Sequence, residues 1–163
     1  MEIKNFSIKN IFKQFDKLSA SFIDASSIIY LRKINLLDCL SDNLKLFSIK
    51  EILNETGFNN LAIEIYKHNI KNDISNDEKL VKCSIKKKLP VITEDKKVLN
   101  LAKNSKIEYY NTLMILNYLL YKDIINIVQY DFNYNLLIDY AWYSTKVLDF
   151  GKLIYKEIIL LKN

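Results

Sequence analysis

The apolar positions change period repeatedly along the chain, from helical spacing to short continuous runs and back. Ile8, Ile11, Phe12, Phe15 and Leu18 recur at helical spacing behind Ser7, a suitable N-cap, and predict an amphipathic helix over residues 7–18. Lys4, Lys9, Lys13 and Lys17 read as its solvated face rather than a membrane-binding one. Ser21 to Ile23 is then a short apolar run that meets Asp24. It leads into a helix from Ser26 through Leu40, with Ile28, Ile29, Leu31, Leu36, Leu37 and Leu40 on its buried side and a bend at Asn35. Leu44 to Ile49 predicts a second strand, and Lys50 to Glu55 a helix that stops at Gly57. Asn59 to His68 fits a helix or a strand. A helix from Asn76 through Ile85 runs into Lys86, Lys87 and Lys88, which favour the negative end of its dipole. Pro90 opens a strand through Thr93, a helix follows over residues 95–104, and a last strand is expected over residues 106–110. From Thr112 to Asn163 the pattern is helical, with its Tyr, Trp and Leu side chains placed in a core or a dimer interface.

Strands alternating with helices predict an α/β fold, a three-layer α/β/α sandwich around a parallel, Rossmann-like sheet. An N-terminal helix and a helical C-terminal extension complete it. The 163 residues suit a single domain, with a core over about 21–130 and C-terminal helices over about 112–163.

Composition narrows the function classes. Half the residues are hydrophobic and 26% are charged, which is a globular rather than a disordered balance. The net charge of +5 is compatible with a polyanionic partner without requiring one. Two glycines cannot supply a dinucleotide-binding or Walker-type loop, which disfavours a nucleotide-binding protein of the doubly wound type. Cys39 and Cys83 are far apart and there is a single His, so neither a zinc site nor a disulfide framework is expected; both cysteines read as buried free thiols in a reducing compartment. The polar N-terminus and the lack of a long apolar run point away from a secretory leader and a membrane span, and so to a cytoplasmic protein.

The candidate chemistry lies in the acids. Asp24 ends an apolar strand, where α/β folds open their ligand crevice. Glu51 and Glu55, Asp77 and Glu78, and Glu94 and Asp95 recur in comparable settings. Each of them also has an ordinary use as a helix cap or dipole partner. Together they suit a hard divalent ion, because Mg²⁺ prefers oxygen ligands and retains waters, and such ions promote phosphodiester hydrolysis.

Taken in order, FIDASS, IKEILNE, SNDEKLVKCS and VITEDKKVLNLA resemble the motifs of the PIN-domain family of metal-dependent ribonucleases. The resemblance covers about residues 21–111 and is most specific in FIDASSIIYL paired with PVITEDKKV, whose Thr93 and Asp95 stand in a T-x-D arrangement. It implies that Asp24, Glu55, Asp77 and Asp95 hold Mg²⁺ or Mn²⁺ and carry catalysis, with Glu51, Glu78 and Glu94 as alternatives and Ser26 and Thr93 in support. It also implies cleavage of single-stranded RNA. Lys79, Lys82, Lys96 and Lys97 are the candidates to guide the RNA backbone. Many small members of that family are toxins of toxin–antitoxin pairs and dimerise, so an antitoxin protein and a second copy are implied partners. The competing reading is a non-catalytic PIN-like module that binds RNA or protein. It is disfavoured because such a module has no need to gather mutually repelling carboxylates.

Overall fold

The computed structural model describes residues 8–163; Ser7 and Lys4 lie outside the described residues. These residues group into two compact units, one of residues 19–112 and one of residues 8–18 together with Leu113–Asn163.

The first unit is α/β. Its strands β1 (Ala20–Ile23), β2 (Lys45–Ser48), β3 (Glu64–Ile65), β4 (Val91–Ile92) and β5 (Tyr109–Tyr110) form one sheet in the order β3-β2-β1-β4-β5. Every pairing is parallel. Phe22 stands opposite both Phe47 and Val91, and Ile23 opposite Ile92. Phe22, Ile23, Leu46, Val91 and Ile92 are almost wholly buried, as expected for parallel strands covered on both faces. The chain adds β2 and β3 to one side of β1 and β4 and β5 to the other. The strand order therefore reverses between β1 and β4, which is where open α/β sheets leave a crevice at the strands' carboxyl ends.

The connecting helices are α2 (Ala25–Lys33), α3 (Leu37–Asn43), α4 (Lys50–Thr56), α5 (Asn76–Lys87) and α6 (Lys96–Asn104), with α1 (Ile8–Lys17) before them. The one bent helix expected over residues 26–40 is instead two helices. Asn35 adopts a left-handed φ of 56°, and the N–H groups of Asn35 and Leu36 turn back onto the carbonyls of Arg32 and Leu31. That closes α2 as an αL cap does, and asparagine tolerates the conformation better than most residues. Gly57 ends α4 in the same way, at φ 66°. The ambiguous stretch 59–68 supplies only the short edge strand β3, and the expected last strand shortens to Tyr109–Tyr110.

The second unit is all helical: α1 with α7 (Thr112–Tyr121), α8 (Ile127–Tyr140) and α9 (Thr145–Lys162). The aromatic residues of α1 meet those of α7. Phe15 packs edge-on against Tyr118 with ring centres 5.6 Å apart, and Phe12 stacks on Tyr121 at 4.9 Å. Buried Asn117 donates to the Gly151 carbonyl and accepts from the Tyr130 hydroxyl, so its amide is satisfied inside the helical core. Gly151 is needed for closeness: a Cβ there would lie 2.5 Å from Leu113 Cδ2.

Cys83 is buried, and burial pushes its thiol up to about 11. Cys39 is half-buried, which corrects the expectation of two buried thiols. Among the described residues no helix is long and apolar enough to cross a membrane.

Candidate functional site

The register of β1 against β4 builds the centre of the site. Because Ile23 pairs with Ile92, the residues that follow them, Asp24 and Thr93, leave the sheet side by side. The Asp24 N–H donates to the Ile92 carbonyl at 3.0 Å, extending the ladder by one step. Asp24 then caps α2, its Oδ1 accepting from the Ser27 N–H at 2.8 Å, while its Oδ2 accepts from the Thr93 hydroxyl. Only 2% of Asp24 is exposed. Burial raises its pKa above the ordinary value for aspartate, and the hydrogen bonds from Thr93 and Ser27 oppose that rise.

Thr93 also accepts from the Asp95 N–H at 3.0 Å, so one buried hydroxyl joins the ends of both strands. Asp95 caps α6 by accepting from the N–H groups of Lys97 and Val98. The two aspartates thus sit at the heads of helices that begin from adjacent strands, on the two sides of the switch point.

Asp77 enters from the first turn of α5. Its pKa is raised, first by burial and then by the negative charges of Asp24, Asp95 and Glu55, with Lys97 opposing. The charges of those three acids reach Asp77, which associates it with the Asp24–Asp95 pair. Glu55 is exposed near the end of α4, and its Oε1 accepts from the Asn76 side-chain amide, which ties that turn to the start of α5.

The alternative acids have other partners. Glu78 completes a capping box with Ser75 and thereby secures the start of α5. Glu94 accepts from the Thr112 N–H. Glu51 lies 3.2 Å from His68 Nε2 and 3.5 Å from Lys79 Nζ. Its own backbone N–H, then His68 and Lys79, hold its pKa below the usual carboxylate range against the cost of burial.

One supporting assignment needs correction. Lys79 is buried, with its ammonium held by Asn72 at 2.7 Å and by Glu51, so it faces the interior and not a polyanion. Exposed Lys82, Lys96 and Lys97 remain available, the last two in the first turn of α6 beside Asp95. The Asp24 carboxylate accepts from the backbone N–H of Ser27, and Ser26 is exposed in the same turn. The i+3 spacing of Ser27 from an N-capping Asp was the available signal. Asn76 and Tyr30 were not legible as site residues. The pKa of the Tyr30 phenol is raised by burial and then by the charges of Glu94 and Asp24.

Among the described residues no three His, Cys, Asp or Glu side chains close into a ready-made metal cage. The chemistry of the donors nonetheless suits Mg²⁺ or Mn²⁺: they are all carboxylate oxygens, and each oxygen of Asp24 retains acceptor capacity beyond its one hydrogen bond. A hard ion that keeps several waters does not need every acid in contact. Comparison with protein-family models, with curated proteins and with solved structures finds no match.

Proposed function

We infer that the chain is a PIN-like, Mg²⁺- or Mn²⁺-dependent endoribonuclease acting on single-stranded RNA. The observation that carries this reading is the pairing of Asp24 and Asp95 through the Thr93 hydroxyl at the heads of two helices on either side of the switch point; Asp77, its pKa raised first by burial and then by Asp24, Asp95 and Glu55, supports it. Carboxylates brought near one another repel in the metal-free fold, and a bound cation would offset that repulsion. When bound there, a divalent ion supplies a strong nucleophile from water at neutral pH and neutralises charge on the phosphate.

The residues divide the remaining work. Asp24, buried and fixed by Ser27 and Thr93, is the rigid acceptor at the base of the site. Asp95 stands across the switch point on the Thr93 strap. Asp77 and Glu55 approach on the α5 and α4 turns that Asn76 joins. Lys96 and Lys97 present positive charge at the rim, where it attracts a phosphate backbone without reading sequence.

The test is cleavage of a labelled single-stranded RNA with Mn²⁺ or Mg²⁺, with and without EDTA. Metal-dependent cleavage by wild type, lost in Asp77→Asn and Asp24→Asn with both variants folded, is the expected result. Absence of cleavage together with no effect of Mn²⁺ on thermal stability would refute the reading.

A further inference from the structure

A pocket of about 490 Å³ opens beside the end of α4, outside the acid cluster. It is lined by Leu53, Phe58 and Ile63, which are buried or half-buried, and by Asn54, Asn59 and Asn60, which are exposed. No charged residue lines it. Asn60 holds a left-handed φ of 56°, and the Arg32 guanidinium lies 5.6 Å from the Phe58 ring centre, so both the loop and its aromatic residue have defined positions. Among the described residues, the three side-chain amides have no hydrogen-bond partner in the protein.

We propose that this pocket receives an unpaired nucleobase of the RNA substrate. The choice of ligand rests on the ribonuclease reading, because the α4 turn that lines the pocket through Asn54 and Gly57 also carries Glu55. An uncharged wall does not suit a phosphate. A lining that combines apolar side chains with asparagines matches a planar heterocycle, whose faces are apolar and whose edge both donates and accepts, as each asparagine amide does. The volume falls within the range of small-molecule sites and exceeds what one base requires. Recognition of a splayed base in single-stranded RNA uses this combination of aromatic or apolar faces and edge hydrogen bonds. The pocket would therefore select one base of the bound RNA, whereas the acids and lysines treat all sequences alike.

The test uses adenosine, guanosine, cytidine and uridine, which carry no phosphate, titrated into the full chain without metal and followed by backbone amide NMR. At least one nucleoside is expected to give saturable shifts confined to residues 53–65. In an Asn54→Ala/Asn59→Ala variant its affinity should fall about tenfold or more, as expected when edge hydrogen bonds worth about 1.4 kcal/mol are lost. Asp24→Asn should bind the same nucleoside as wild type does. Shifts with none of the four, or shifts unchanged in the asparagine variant, overturn the proposal. Nucleoside binding in a chain that neither cleaves RNA nor gains thermal stability from Mn²⁺ upholds the pocket and refutes the ribonuclease. Metal-dependent cleavage without nucleoside binding, and with base preference unchanged in the asparagine variant, refutes the pocket alone.

Discussion

Thr93→Val tests the link between the sheet and the ionisation of Asp24. Valine keeps the β-branched shape but deletes a buried hydroxyl that donates to Asp24 and accepts from the Asp95 N–H. A hydrogen bond to a charged group contributes about 1.5–3 kcal/mol and a neutral one about 0.5–1.5, so the variant should lose about 2–4 kcal/mol at neutral pH. The loss should depend on pH. The folded pKa of Asp24 already lies above its ordinary value, so its ionisation destabilises the fold, and the Thr93 bond is the largest force opposing that rise. Removing the bond raises the folded pKa further, and the added penalty appears only as pH rises through that value. At about pH 3.5, below the ordinary aspartate pKa, both proteins hold Asp24 protonated and the difference should shrink to about 1–3 kcal/mol, the sum of two neutral bonds. Urea unfolding at the two pH values measures this, with Thr93→Ser as the variant that retains the hydroxyl. An equal destabilisation at both pH values, or a serine variant as unstable as valine, would refute the assignment of Thr93 as the partner of an ionised Asp24.

Glu55→Gln should abolish the Mn²⁺-dependent gain in thermal stability and RNA cleavage with little change in the metal-free melting temperature, because Glu55 is exposed. Glu51→Gln should instead destabilise by about 1–3 kcal/mol, since it weakens the hold on buried Lys79, and should retain metal-dependent cleavage. Because Asp24 and Asp77 have raised pKa values, their stabilising contribution is full below the ordinary aspartate pKa and is lost as pH rises through the folded values. Asp77→Asn should therefore stabilise the metal-free protein at neutral pH and not at about pH 3.5, and a melting curve showing the reverse would exclude charge repulsion at this residue. Gly151→Ala should cost about 1–3 kcal/mol through the clash with Leu113, seen as a lowered urea midpoint.

Much of the α/β architecture was written in local pattern. Apolar runs such as Ser21 to Ile23 and Leu44 to Ile49, separated by helical periodicity, require strands buried on both faces, and parallel pairing follows from the helical crossovers between them. Asp24 and Asp95 were readable because strand-ending acids that open helices carry a positional signal in one dimension. What periodicity could not decide was where a helix breaks, since Asn35 in the left-handed region is a single-residue backbone choice inside a continuous apolar pattern.

The partners of each acid depended on the tertiary structure. Glu51 and Glu55 share a helix, yet packing sets the first against His68 and Lys79 and leaves the second exposed beside Asn76. Asp77 and Glu78 are neighbours in sequence, yet the capping box takes Glu78, whereas burial and then the charges of Asp24, Asp95 and Glu55 raise the pKa of Asp77. Lys79 looked like any surface lysine until α5 turned it inward. Sequence fixes the types and spacing of charged groups, whereas their energies depend on burial and on charges brought close by chain segments far apart in order. Only the folded chain sets those distances.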